Sequence, residues 1–293
     1  MGERLTLGFA KYQGTGNDFV MVLDLGGSRP LAAAEISALC DRRFGIGADG
    51  TIRVTGDGSD AAPFFMDYAN ADGSEAEMCG NGIRCVAAFL HDEGLAPGVA
   101  FPIRTRAGTK RVELDVRDGR VASVAVEMGT PAFTLAAIPM RGPAWETFLG
   151  EPIELGEGWV AKASAVSMGN PHLVVFLEDE PARVHVSHVG PALERDPRFP
   201  EGTNVEFAQV QDDHIAARVW ERGSGETMAC GSGACAVAVA ANEAGLTPRS
   251  TIVRFPGGDL GVERREDGSV RLSGPAERVF DGDVDLERLS ADP

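Results

Sequence analysis

Two cysteines in this chain have near-identical surroundings, and thiols so placed can carry protons. Cys79 is followed by Gly80-Asn81-Gly82, and Cys230 by Gly231-Ser232-Gly233. Each has a glutamate four residues upstream, Glu75 and Glu226, and each opens a run that reads as helix. The cysteines are 151 positions apart (230 − 79), and a second echo, Gly16-Asn17 and Gly169-Asn170, recurs at 153 (170 − 17). Two matches at nearly one offset predict a duplicated unit in which each half supplies one thiol to a shared site.

Backbone N–H groups at a helix start are unpaired and carry partial positive charge. A cysteine there is expected to have a lowered pKa, and the flanking glycines to let a ligand carboxylate reach the N–H groups. Two such loops would hold a carboxylate between two thiols. One thiolate removes a proton from the adjacent carbon and the other thiol delivers one to the opposite face, inverting the stereocentre. The N–H groups would stabilise the charge that develops, as in an oxyanion hole. Cys40, Cys85 and Cys235 fall within apolar helical patterns and read as core. Zinc fits poorly, because structural sites prefer two to four residues between paired cysteines; four separate Cys230 from Cys235, but five separate Cys79 from Cys85. No metal or other cofactor is expected.

The elements that must position these thiols follow from length and pattern. A chain of 293 residues suggests two domains. Proline clusters after Met128 set the boundary, giving a first domain over 1–130, a second over 131–275, and a tail over 276–293 packing back on the first. The reading is α/β, with two pseudo-symmetric domains that each curl a mainly antiparallel sheet around a central helix. Alternation at Leu5, Leu7 and Phe9, then Val20 and Val22, predicts paired strands across Gly14-Thr15-Gly16-Asn17. Asp118-Gly119 marks a second hairpin. Helices are expected over 31–41, 80–93, 189–195 and from Gly231 to before Gly245. The last is apolar all round from Ala234 to Ala241, as a fully buried helix is.

A net charge of −17 argues against nucleic acid or an anionic membrane as partner. No apolar run approaches the roughly 20 residues that span a bilayer. The first eleven residues are charged and lack a cleavage pattern, so no export signal is expected. Five cysteines, an odd number, point to free thiols in a reducing cytoplasm. Of 27 basic residues only Lys11, Lys110 and Lys162 are lysines, which limits Schiff-base chemistry.

Taken together, several segments resemble the diaminopimelate epimerase family. They are Gly16-Asn17-Asp18-Phe19-Val20, the run from Arg43 to Gly50, and the run from Asn70 through Met78-Cys79-Gly80-Asn81-Gly82-Ile83-Arg84-Cys85. In the second half they are Gly169-Asn170-Pro171-His172, Gly202-Thr203-Asn204-Val205, Glu221-Arg222-Gly223 and Ala229 to Cys235. The resemblance implies a cofactor-independent epimerase interconverting LL- and meso-diaminopimelate, a small-molecule substrate, for lysine and peptidoglycan precursors. It implies Cys79 and Cys230 as the acid/base pair. Asn17, Asn70, Asn170, Asn204, Glu221 and Arg222 match substrate contacts, and Gly80-Asn81 and Gly231-Ser232 match the backbone cradles. His172 and Glu221 match positions that tune the thiols. Phe280 matches a dimer contact, so a homodimer is expected. The chemistry agrees: Arg222 can bind a distal carboxylate bidentately, and asparagine carbonyls and Glu221 can accept from an amine.

Three positions depart from the family pattern. Gly50 replaces a glutamine that helps hold substrate in some members, Gln13 a frequent histidine, and Phe280 a tyrosine hydroxyl. Proline racemase-type enzymes share the two-thiol plan, but there a histidine tends to follow the first Cys-Gly, where this chain has Asn81. A non-catalytic ligand-binding relative of the same fold would not keep both thiols.

Overall fold

The computed structural model describes residues 6–59, 62–156 and 158–289, which leaves the expectation at Leu5 outside the described residues. The chain divides into two compact units, 1–126 with 274–293 and 127–273.

The first unit contains β1 (Thr6–Gly14), β2 (Asn17–Leu23), α1 (Ala33–Cys40), β3 (Gly50–Ser59), β4 (Ala62–Asn70), α2 (Gly80–Asp92), β5 (Ala100–Thr105), β6 (Gly108–Arg117) and β7 (Arg120–Gly129). The second contains β8 (Glu151–Glu154), β9 (Val160–Ser167), β10 (Pro171–Phe176), α3 (Val186–Glu194), β11 (Asn204–Val210), β12 (Ile215–Glu221), β13 (Gly225–Thr227), α4 (Gly231–Glu243), β14 (Ser250–Phe255), β15 (Gly258–Arg264) and β16 (Val270–Gly274). The chain then returns to the first unit with β17 (Glu277–Asp285) and α5 (Leu286–Leu289).

Strand pairing repeats between the units. β1–β2 is antiparallel, β2–β3 parallel, β3–β4 antiparallel, β4–β5 parallel, and β5–β6–β7 antiparallel. In the second unit β9–β10, β10–β11, β11–β12, β12–β14 and β14–β15–β16 follow the same order. β17 completes the pattern against β1, as β8 does against β9. Register makes the correspondence residue by residue. Phe19 lies beside Gly50 and Gly50 beside Asn70, while His172 lies beside Asn204. Val205 lies beside Trp220, so one step along Asn204 is level with Glu221. Asn204 therefore matches Gly50, and Glu221 matches Asn70. By the same ladders Glu206, opposite Val174, matches Ile52, opposite Met21.

The turns explain the tight strand ends. Thr15 and Gly16 have φ of 52° and 80° between β1 and β2, and Asp118 and Gly119 have 51° and 75° between β6 and β7. Positive φ at both central residues is the turn that suits strand twist.

Each central helix is enclosed. α2 is buried from Gly80 to Leu90, including the whole Arg84 side chain, and α4 is buried at Gly231 and from Gly233 to Ala241. α1 and α3 each pack in a further apolar cluster, α1 with Leu7, Val20 and Leu286, α3 with Leu173, Val175 and Phe207. Pattern reading, which expects a helix from 189, starts α3 three residues late. Cys40, Cys85 and Cys235 are buried free thiols, as a core role requires. Among the described residues no helix is long and apolar enough to cross a membrane.

Candidate active site

Each cysteine is the N-cap residue of its helix. Cys79 has extended backbone (φ −130°, ψ 122°) and begins α2, and Gly82 N–H donates to its Sγ at 3.4 Å. Cys230 has nearly the same backbone (φ −123°, ψ 121°) before α4. Extended backbone at that position lets the side chain turn back over the unpaired N–H groups of the first turn.

The first half-site is built from the β1–β2 turn. The Cys79 thiol donates to Asn17 Oδ1 at 3.5 Å, and Asn81 Nδ2 donates to the same oxygen at 3.4 Å. Asn17 Nδ2 donates to Asp49 Oδ2 at 2.7 Å, which settles the direction of the amide. Arg84 braces the whole loop. Its Nη1 donates to Gly80 O at 3.2 Å, Nη2 to Thr15 Oγ1 at 3.2 Å, and Nε to Pro275 O at 3.3 Å. Asn70, at the end of β4, accepts from the Tyr68 hydroxyl at 3.0 Å and donates to Ser74 Oγ at 3.0 Å. A side chain at Gly50 would meet the Tyr68 ring at 2.7 Å and Ala69 O at 2.6 Å. The aromatic ring thus takes the space that a side chain at 50 would need.

In the second half-site two carboxylates, Glu221 and Glu206, act on the cysteine itself. Ser232 Oγ lies 3.5 Å from Cys230 Sγ, and Asn170 Nδ2 donates to Ser232 Oγ at 3.4 Å. His172 Nε2 lies 3.0 Å from Asn170 Oδ1, and its Nδ1 lies 2.7 Å from Glu206 Oε1. Glu221 faces Cys230 and accepts from Thr227 Oγ1 at 2.5 Å. Burial pushes the Glu221 carboxyl up, and hydrogen bonds from Thr227 and Cys230 oppose that rise.

The thiol expectation is corrected at Cys230. Burial, then Glu221, then Glu206 push this thiol well above the ordinary cysteine value, and hydrogen bonds from Ser232 and the Gly233 N–H do not offset them. The helix terminus is outweighed by loss of water and two carboxylates.

The glycines also have a different reason at Gly82 and Gly233. A Cβ on Gly82 would meet Ile52 Cδ1 and Met66 Cε at 2.9 Å, and one on Gly233 would meet Glu206 Oε1 at 2.7 Å. Both are small so that the sheet can close on the helix. The upstream echoes, Glu75 and Glu226, go to half-buried arginines: Glu75 lies 3.4 Å from Arg106, and Glu226 accepts from Arg218 at 2.8 Å.

Of the remaining positions, Asn204 spends both amide groups inside its unit. It donates to Pro171 O at 2.9 Å and accepts from Arg222 N–H at 2.9 Å. Arg222 is exposed, and its Nη1 donates to Glu201 O at 3.1 Å. Phe280 lies on β17, 46% exposed and edge-on to Phe9 at 5.9 Å. Gln13 Nε2 donates to Glu277 Oε2 at 3.0 Å. Among the described residues no group of three or more His, Cys, Asp or Glu side chains is arranged to hold a metal ion. Sequence reasoning missed Arg84, Tyr68, Thr227, Glu206 and Asp49. The strand ladders bring Glu206 and Tyr68 to the two loops, whereas Arg84 and Thr227 lie within the cysteine segments themselves.

The model of the diaminopimelate epimerase family matches residues 9–134 and 164–279. The chain belongs to the diaminopimelate epimerase family. Relatives named diaminopimelate epimerase include one from Pelotomaculum thermopropionicum, 46% identical, with 94% of this chain and 98% of the relative covered. The Moorella thermoacetica protein of that name is 47% identical, covering 95% and 99%, and that of Desulforudis audaxviator is 48% identical, covering 94% and 98%. Solved structures share the fold at low identity. A hydroxyproline epimerase from Agrobacterium vitis aligns with TM-score 0.69 at 15% identity, over 97% and 93% of the two chains. A phenazine biosynthesis protein of the PhzF family from Bacillus anthracis aligns at 0.64 and 18%, over 95% and 99%. The fold is thus shared with proteins of several names. Membership of the epimerase family rests on the sequence match instead.

Proposed function

We propose that this chain interconverts LL- and meso-2,6-diaminopimelate, without added cofactor, through a thiol pair made by Cys79 and Cys230. The observation that carries the reading is the duplicated half-site: two cysteines of like backbone, each capping an enclosed helix, in a chain of this family. One sulfur removes the α-proton while the other returns a proton to the opposite face.

The reacting carboxylate binds the N–H groups at Gly80-Asn81 and Gly231-Ser232, where helix termini favour an anion. Asn17 and Asn170 orient the reacting amino acid. Glu221 accepts from an amine, and Arg222 pairs with the distal carboxylate. Asn70 and Asn204 hold the loops that carry these groups. The exposed Val279 and Phe280 on β17 support a homodimer through that face. Five free thiols fit a reducing cytoplasm, where lysine and peptidoglycan precursors would be the pathway products.

The test is incubation with LL-diaminopimelate, without pyridoxal phosphate or metal, followed by chiral separation. The meso isomer should accumulate until the two forms reach a constant ratio. No conversion, or conversion only with an added cofactor, overturns the reading. Proline in the same assay should remain unconverted.

A further inference from the structure

Glu206 is buried in the second unit with 0% of its surface exposed. One carboxyl oxygen lies 2.7 Å from His172 Nδ1, while the other, Oε2, has no hydrogen-bond partner. An orphaned oxygen on a buried acid costs stability, so a purely structural role would be better filled by an apolar residue. The first unit does this: its ladder counterpart of Glu206 is Ile52, and that of His172 is Phe19. Gly82 packs against Ile52 there as Gly233 packs against Glu206 here.

We infer that Glu206 is a positioning residue that pins His172, Asn170 and Ser232 as a hydrogen-bonded chain beneath Cys230 and makes the two half-sites unequal. The inference rests on the reading of Cys230 as one of the two acid/base thiols. The chain runs from Glu206 Oε1 to His172 Nδ1, from Nε2 to Asn170 Oδ1, from Asn170 Nδ2 to Ser232 Oγ, and on to Cys230 Sγ. His172 is held at both ring nitrogens, so its plane cannot rotate, and the Asn170 amide keeps its N–H₂ toward the loop. The titratable groups acting on Cys230 are Glu221 from β12 and Glu206 from β11, and His172 from β10 acts on Glu221. Both carboxylates raise the Cys230 thiol. The matching places around Cys79 hold Asn70, Ile52 and Phe19, and none of these carries charge.

The test is the pH dependence of iodoacetamide alkylation at each cysteine, mapped by mass spectrometry on the intact protein, with Cys79 as internal reference. Glu206→Gln keeps the size of the side chain and removes its charge. The Cys230 midpoint should move to lower pH by about one unit, while the Cys79 profile stays in place. The double variant Glu206→Ile/His172→Phe copies the apolar pair of the first unit and should give the same shift should the single variant not fold. Cys230 profiles superimposable on wild type in either folded variant overturn the inference, as does an equal shift at both cysteines. Alkylation needs no substrate, so failure of wild type to convert LL-diaminopimelate would count against the proposed function and not against this role of Glu206.

Discussion

Cys79 Sγ lies 3.5 Å from Asn17 Oδ1, and Asp49 Oδ2 holds the other arm of that amide at 2.7 Å. The anchor keeps the carbonyl oxygen toward the thiol, because turning the amide over would set two oxygens against each other. Asp49→Ala releases it and should lower kcat about tenfold to a hundredfold, the scale of a misplaced catalytic group. Steady-state kinetics on a variant with unchanged circular dichroism checks this. An unchanged kcat would show that Asn17 needs no anchor.

Asp18, next in the chain, pairs with Lys11 at 2.8 Å and with Arg42 at 2.7 Å. Burial pushes its carboxyl up, but the hydrogen bonds and charges of Arg42 and Lys11 outweigh that and hold it at about 2. The folded value lies below the unfolded one, about 3.9. The ion-pair contribution is therefore present above that unfolded value and lost as pH falls towards 2, and it is about 1–2 kcal/mol. Asp18→Asn should lower Tm near neutral pH, with the gap to wild type closing below about pH 4. A gap that does not change with pH would contradict the pairing.

The repeat that names the two thiols is legible because Cys-Gly-x-Gly recurs with its glutamate at a matching distance. The enclosed helices are legible too, since Ala234 to Ala241 offers no polar face. What surrounds the thiols is legible only through the family resemblance, which names Asn17, Asn170, His172 and Glu221, and not through spacing along the chain. Glu221 reaches Cys230 and Glu226 does not, a choice made by the β11–β12 ladder and invisible in linear spacing. The expected lowering of the Cys230 pKa fails for a related reason: a helix terminus is a local feature, whereas burial and two carboxylates arrive from other strands. Gly82 and Gly233 look like ligand-approach glycines in sequence, yet the structure uses them for packing.

Those two glycines should respond differently to a methyl group. At Gly82 the obstacles are the tips of Ile52 and Met66, which can move. At Gly233 they are the Glu206 carboxyl, pinned by His172, and Cys230 Cβ at 3.2 Å. Gly233→Ala should cost about 2–3 kcal/mol and Gly82→Ala about 1 kcal/mol, within the range for overpacked cores. Urea unfolding of both variants measures the difference, and equal losses would contradict it.

Thr227 donates to Glu221 Oε1 at 2.5 Å and so favours the carboxylate form of a buried acid that burial pushes up. Thr227→Val removes that bond, and the Glu221 carboxyl should rise further. Ionised Glu221 is needed to accept from the substrate amine, so the acidic limb of the kcat/KM profile should move to higher pH by about one unit. An acidic limb that stays in place would remove Glu221 from that role.

The most direct measurement follows diaminopimelate in D2O by NMR with wild type, Cys79→Ala, Cys230→Ala and Cys40→Ala. Wild type and Cys40→Ala should place solvent deuterium at the α-carbon as the isomers interconvert. Cys79→Ala and Cys230→Ala should each lose epimerisation by roughly a thousandfold or more. Epimerisation near the wild-type rate in either of those two variants would contradict a mechanism that depends on both sulfurs.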